Sequence, residues 1–323
     1  MFNSKIIGVG SYVPNNIISN EDLKKIVDTS DEWIQSRTGI KERRISTGEE
    51  TSDLAANAAK NALNMANIDV KEIDYIIVAT ITPDSYTPST ASIVQNKIGA
   101  INASAIDINA ACTGFMYALE IANCLIKMGS YKNILVIGAE TLSKIVDWSD
   151  RSTCVLFGDG AGAAILTKTT ELGIENIITG SDGSKGDSLV AKNIGVRNPY
   201  SDLKEDNNRF LGMNGGEVFK FATRIMESSI KEVITEKGYT LDDIDYIIPH
   251  QANYRIIDYV SRKLKVDLSK FIINLDRYGN TSGASIPLAL TEAIESNKIK
   301  KGDKIVLVGF GGGLTWGSVL LEY

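Results

Sequence analysis

"EIDYIIVAT", residues 72–80, returns as "DIDYIIPHQ" at 243–251. In each copy an acidic residue leads into tyrosine, isoleucine and an apolar run, the make-up of a buried strand. Tyr246 follows Tyr75 by 171 residues. A second pair of words keeps that spacing: "NILVIGAE" at 133–140 returns as "KIVLVGFG" at 304–311, so that Gly309 follows Gly138 by 171 residues. Short β-rich words recur by chance, but an equal offset does not come from chance, and repeats of this kind mark one unit used twice. The chain therefore reads as two halves, 1–170 and 171–323.

Each half runs helix, strand, variable segment, helix, strand. "TSDLAANAAKNALNMANI" opens on the cap-type residues Thr51, Ser52 and Asp53 and leads to a strand at 73–79. "GEVFKFATRIMESSIKEVITEKGY" does the same ahead of a strand at 244–249. Strands separated by helices call for an α/β fold with sheets covered on both faces. Two such halves about a pseudo-dyad give a five-layered α/β/α/β/α sandwich.

The inner helices carry the chemistry. From Cys112, "CTGFMYALEIANCLIKMG" is apolar nearly all round and is expected to lie buried. Its counterpart is "TSGASIPLALTEAIES", which follows Asn280, and the 171-residue offset maps Cys112 onto Gly283. Pseudo-symmetry thus brings both helix starts together, with Gly114 and Gly283 offering little bulk where backbones approach. His250, the single histidine, ends the neighbouring strand in "DYIIPHQAN". A thiol, an imidazole and a carboxamide converge on an apolar double layer. Unpaired N–H groups and the helix dipole at the helix start favour a Cys112 thiolate, a candidate nucleophile. A core role is the plain reading for Cys124, in mid-helix, and for Cys154, in an apolar strand-like run.

Composition narrows the classes. Hydrophobic residues make up 43% and charged residues 23%, with six prolines, which disfavours disorder. A net charge of -6 argues against nucleic acid or anionic membrane as a general partner. Three irregularly spaced cysteines and one histidine provide neither a disulfide framework nor a metal site. No apolar run nears the roughly 20 residues needed to span a bilayer. These features give the expectation of a cytoplasmic protein without membrane insertion. "GVGSYV" lacks the helix of a dinucleotide fingerprint, "GFGGGLTWG" lacks that of a phosphate loop, and "FGDGAGAAIL" reads as a structural turn.

"NAACTGF", "PHQAN" and "RYGNTSGASIP", in that order, resemble the β-ketoacyl-acyl carrier protein synthase III family of the thiolase superfamily. The likeness extends from "GVGSYVP" through "TSDEWIQSRTGIKERRI" and "FGDGAGA" to the terminal "GFGGGLTWGSVLLEY". It implies a thiolase-like sandwich and a catalytic trio of Cys112, His250 and Asn280. The cysteine would take an acyl group, acetyl in the first instance, from acyl-coenzyme A (acyl-CoA). Condensation with malonyl-acyl carrier protein would follow, with loss of carbon dioxide and no cofactor beyond the substrates. His250 would serve as a neutral hydrogen-bond donor. The oxyanion hole would be the N–H groups of Cys112 and Gly312. The resemblance further implies CoA contacts at Thr29, Trp33, Arg37, Arg151 and Asn253, and an acyl pocket shaped by Thr87 and Phe310. A homodimer is implied, joined near "NILVIGAE". Lys220, Arg255, Arg262, Lys263 and Lys265 form a basic cluster suited to an acidic carrier protein. Thr87 stands where the family often has phenylalanine, and Gly216 where a larger polar residue is common. Two competing readings are an acyltransferase of a specialised ketide pathway and a non-catalytic homologue that only binds carrier protein or CoA. Retention of Asn280 favours carbon–carbon bond formation over simple acyl transfer.

Overall fold

The strands at 75–79 and 246–249 are each the parallel neighbour of the repeat's second strand, in the same register. Tyr75 pairs with Ile134 and Tyr246 with Ile305, again 171 residues apart on both sides. The structure, a computed structural model, describes residues 2–196, 198–200 and 209–323. Its first sheet contains β1 (Asn3–Tyr12), β2 (Tyr75–Ala79), β3 (Ser104–Ile108), β4 (Asn133–Glu140) and β5 (Gly160–Thr169), in the order β1-β5-β4-β2-β3. The second contains β6 (Ile174–Ser181), β7 (Tyr246–Pro249), β8 (Lys304–Gly311) and β9 (Thr315–Glu322), in the order β7-β8-β9-β6.

Strand alternation explains the layers. On β4, Ile134 and Val136 face the middle of the molecule and Leu135 and Ile137 face outward; on β8, Ile305 and Leu307 face the middle and Val306 and Val308 outward. The outer face of the first sheet is covered by α2 (Thr51–Ala66) and α3 (Thr90–Ile98), downstream of the short helix α1 (Asp31–Thr38). Between the sheets lie α4 (Gly114–Lys127) and α7 (Ser285–Glu295). The second sheet is covered by α5 (Gly215–Thr235) and α6 (Tyr254–Leu264). The result is the five-layered α/β/α/β/α arrangement expected from the repeat. Among the described residues no helix is long and apolar enough to cross a membrane.

Three expectations are corrected. Cys124 is exposed on α4, together with Ile121 and Met128, so this helix has one open side. An all-apolar helix can be covered by a core or by another chain, and sequence does not separate the two. Cys154 is buried, but it ends a short helix, Arg151–Cys154, rather than sitting in a strand. Finally, "NILVIGAE" cannot be a subunit join: β4 is paired on both sides, by β2 and β5, and all eight of its residues are buried. The edges of that sheet are β1 and β3, and Ile106 on β3 is exposed, as is Ile101 ahead of it in the chain.

Candidate active site

Cys112 lies in a single turn of 3-10 helix, Ala111–Thr113, that leads directly into α4. Ala111 holds a left-handed backbone, φ 47°, and exactly one repeat later Ser282 holds φ 49° at the head of the matching turn, Ser282–Ala284. A residue with a side chain rarely occupies this region, so its appearance at both symmetry-related positions marks a backbone fixed by its surroundings. Asn109 Oδ1 accepts from the Ala111 amide at 3.2 Å, and Thr113 Oγ1 donates to the Ala110 carbonyl at 2.6 Å. Close approach then requires glycine on the facing strand: a Cβ on Gly311 would sit 2.8 Å from the Cys112 nitrogen.

Asn280 is held by strand-like pairing beside Phe157. Its N–H donates to the Leu156 carbonyl at 2.8 Å, and its own carbonyl accepts from the Gly158 amide at 3.0 Å. Oδ1 accepts the Ser282 amide at 2.9 Å, which identifies the oxygen and leaves Nδ2 as the donor end of the side chain. His250 ends β7, where its N–H donates to the Val308 carbonyl at 2.8 Å. Its Nδ1 lies 2.7 Å from Ser285 Oγ, and Phe310 meets the ring edge-on with centroids 5.4 Å apart.

Cys112, His250, Asn280, Gly312 and Phe310 line one cavity of ≈ 1260 Å³. Cys112, Asn280 and His250 are only 8%, 7% and 2% exposed, so reaction would occur out of bulk water. Burial drives the His250 pKa down to about 3, and the ring is therefore neutral at neutral pH. Burial pushes the Cys112 thiol up to about 11; Ser282 opposes this, the Glu140 carboxylate adds to it, and the amides of Cys112 and Gly312 oppose it. Loss of hydration thus opposes the helix-end effect that favours a thiolate. Gly312 lines the cavity with Cys112, and the amides of both act to favour the thiolate, as donors of an oxyanion hole would.

Sequence reading missed the residues behind this trio. Ser285 supports the imidazole. Glu140, completely buried at the end of β4, accepts from Thr82 Oγ1 at 2.7 Å, the Ile81 amide at 3.1 Å, Ser282 Oγ at 3.1 Å and Thr80 Oγ1 at 3.2 Å. A carboxylate closing the apolar run "ILVIGA" was the available signal. Asp159 of "FGDGAGA" serves structure instead: it accepts from Ser143 and from the Ser46 amide.

The other expected contacts divide. The Arg151 guanidinium stacks 5.0 Å from the Trp33 ring centre and donates to the Asp28 carbonyl at 2.8 Å. Asn253 caps α6 and donates to the Arg37 carbonyl at 3.1 Å, linking α1 to the cavity that Asn253 lines. Thr29, Trp33, Arg37 and Arg151 lie outside the cavity lining, on the α1 side. Thr87 is exposed and does not line the cavity of its own chain; Gly216 is exposed beside it. Of the basic cluster, Lys220 pairs with Glu217 and Arg262 with Asp258 on their own helices, while Lys263 sits over Tyr259.

The family model described as 3-Oxoacyl-[acyl-carrier-protein (ACP)] synthase III matches residues 106–183, and that for the C terminal of the same synthase matches 234–323. The chain is 58% identical to the Beta-ketoacyl-[acyl-carrier-protein] synthase III of Clostridium perfringens (strain SM101 / Type A), over 100% of both proteins. It is 59% identical to the Clostridium novyi (strain NT) protein of the same name, again over 100% of both. The crystal structure of 3-oxoacyl-[acyl-carrier-protein] synthase III from Aquifex aeolicus VF5 superimposes with a TM-score of 0.93 at 50% identity, covering 99% of this chain and 100% of that one.

Proposed function

Because this chain belongs to the β-ketoacyl-[acyl-carrier-protein] synthase III family, an acyl-transferring condensing enzyme of fatty-acid initiation, we propose that acetyl-CoA primes it and that Cys112, His250 and Asn280 perform the condensation with malonyl-acyl carrier protein. The observation carrying this reading is one cavity lined by Cys112, His250 and Asn280 together with Gly312.

In the first stage the Cys112 sulfur attacks the thioester carbonyl. The negative oxygen is held by the amides of Cys112 and Gly312, and CoA leaves as its thiol. In the second, the bond to the malonyl carboxylate breaks and carbon dioxide departs. The electron pair becomes an enolate whose oxygen accepts from His250 Nε2 and Asn280 Nδ2. For this role the ring hydrogen sits on Nε2, aimed at substrate, and His250 Nδ1, 2.7 Å from Ser285 Oγ, accepts from that hydroxyl. The enolate carbon attacks the acyl-Cys112 carbonyl, the thiolate leaves and takes one proton from solvent, and 3-oxoacyl-acyl carrier protein is released. A non-catalytic role would give no reason to assemble donors for two different oxyanions.

The acyl chain extends towards Phe310, with Thr87 acting on the pocket of a partner subunit. The dimer forms along the open β3 edge and the exposed side of α4, where Ile106, Ile121 and Met128 would be covered. Sedimentation at the mass of a single chain would contradict that dimer. The nucleotide of CoA rests on the Trp33–Arg151 stack with Thr29 and Arg37, and its pantetheine passes Asn253. Carrier protein is received by Arg255, Lys263 and Lys265, with Lys220 and Arg262 weakened by their own carboxylate partners.

Two results follow. Replacing Trp33 or Arg151 with alanine raises KM for acetyl-CoA on the order of 10-fold and leaves KM for malonyl-acyl carrier protein unchanged; Arg255→Glu with Lys263→Glu does the reverse. Steady-state kinetics with one substrate varied at a time reads both. Mass measurement of 3-oxoacyl products from acetyl, branched and longer acyl-CoA donors tests the primer, and a larger kcat/KM for a branched or long donor would overturn acetyl preference.

A further inference from the structure

Glu140 is a wholly buried carboxyl with four hydrogen-bond donors, and among the described residues no cation lies within ion-pair distance of it. Such a group is expensive to bury. One of its donors, Ser282, lines the reaction cavity together with Cys112, and its hydroxyl acts to lower the Cys112 thiol's pKa. The Ser282 hydroxyl thus stands between the cavity that holds the reactive thiol and a buried carboxylate.

We propose that Ser282 and Glu140 form a proton relay behind Cys112, in which Glu140 holds the thiol's proton while the sulfur attacks. This rests on the acyl-transfer reading above and supplies the base that the trio lacks, since His250 is committed to donating. In the resting state the thiol faces Ser282 Oγ, whose hydroxyl donates to Glu140 Oε1. On attack the S–H bond breaks, Ser282 receives that proton and passes its own to Glu140, and the sulfur electron pair forms the bond to the acyl carbon. When the C–S bond to CoA breaks, the proton returns along the same path to the CoA thiolate, restoring the carboxylate. No proton is gained or lost overall.

The electrostatics are self-consistent. Burial pushes Glu140 up to about 7, opposed by Thr82, the Ile81 amide, Ser282 and Thr80, which suits a group that exchanges protons near neutrality. Its charge also helps hold the thiol protonated, and moving the proton onto Glu140 removes that charge as the thiolate forms. The titratable groups facing it are Cys112, across Ser282, and Asp159, beside its strand partner Gly160; Asp159 turns its carboxylate to Ser143 and Ser46. Glu140 is a positioning residue for the proton, since it acts through Ser282.

The test is the pH profile of two rates on full-length protein: alkylation of Cys112 by iodoacetamide and acetyl transfer from acetyl-CoA. In the unaltered protein both rates rise through about pH 7 and then level as Glu140 loses its proton. In Glu140→Gln the inflection moves upward toward that of the buried thiol itself, which desolvation holds above the ordinary thiol range, and acetyl transfer at pH 7 falls on the order of 100-fold. Ser282→Ala does the same with Glu140 in place. Alanine suits that backbone, because Ala111 already holds the equivalent left-handed conformation. A merely structural loss would lower the rates without moving the inflection. A folded Glu140→Gln protein that keeps the inflection near pH 7 would overturn the relay, and if that variant does not fold, an unmoved inflection in Ser282→Ala would overturn it. Unaltered protein that is alkylated but never acetylated would contradict the acyl-transfer reading instead, with the alkylation profiles still deciding the relay.

Discussion

Cys112→Ala protein takes up no acetyl group from acetyl-CoA, and its rate of 3-oxoacyl-acyl carrier protein formation falls on the order of 10⁴-fold or more. The size of the loss follows from the covalent step, for which the cavity lining offers no other thiol: Cys124 is exposed on the far part of α4 and Cys154 is outside the lining. The oxyanion donors survive the substitution, being backbone groups. The turn survives as well, because it is held by Asn109, Thr113 and Thr315 and not by the sulfur. Intact-protein mass after incubation with acetyl-CoA checks the first claim, and product formation with malonyl-acyl carrier protein checks the second. Full acetylation of the alanine variant would place the nucleophile elsewhere.

Asn280→Ala and His250→Ala have a different signature. Each removes one donor to the enolate oxygen, so condensation falls 10²- to 10³-fold, on the order expected for loss of one oxyanion donor. Acetylation of Cys112 continues in both, since that stage uses the amides of Cys112 and Gly312. Asn280→Ala also frees the Ser282 amide from Oδ1, and some loosening of that turn accompanies the kinetic loss. The His250 contribution has a pH corollary: with its pKa held down to about 3, the ring is neutral throughout the working range, so its donor role adds no inflection between pH 5 and 8. Rapid-quench measurement of acyl-Cys112 against product separates the stages. A variant that loses acetylation and condensation equally would assign His250 to the first stage.

The sequence carried the architecture because a duplicated half repeats its registers: the offset that relates Tyr75 to Tyr246 also relates their strand partners, Ile134 and Ile305. The convergence of Cys112, His250 and Asn280 on one cavity followed from the same symmetry. Other features were not legible. Neither Ala111 nor Ser282 is glycine, so nothing in composition announces their left-handed backbones. The charge state of Cys112 was not legible because a helix-start rule counts the dipole and omits the cost of removing water. The exposure of Cys124 depends on what covers α4, which one chain does not encode. The pairing of Lys220 with Glu217 and of Arg262 with Asp258 was legible, at three- and four-residue helical spacing, and reduces the basic cluster on that face.

The central claim is that one cavity performs two chemically distinct stages through a single acyl-Cys112 intermediate. The direct measurement loads the protein with acetyl-CoA, removes excess donor, adds malonyl-acyl carrier protein, and follows three quantities together: acetyl on Cys112, carbon dioxide and 3-oxoacyl-acyl carrier protein. The account predicts that each acetyl group lost from Cys112 appears in one 3-oxoacyl product with release of one carbon dioxide. Product formed while the acetyl label stays on Cys112, or acetyl lost to water without product, would contradict it.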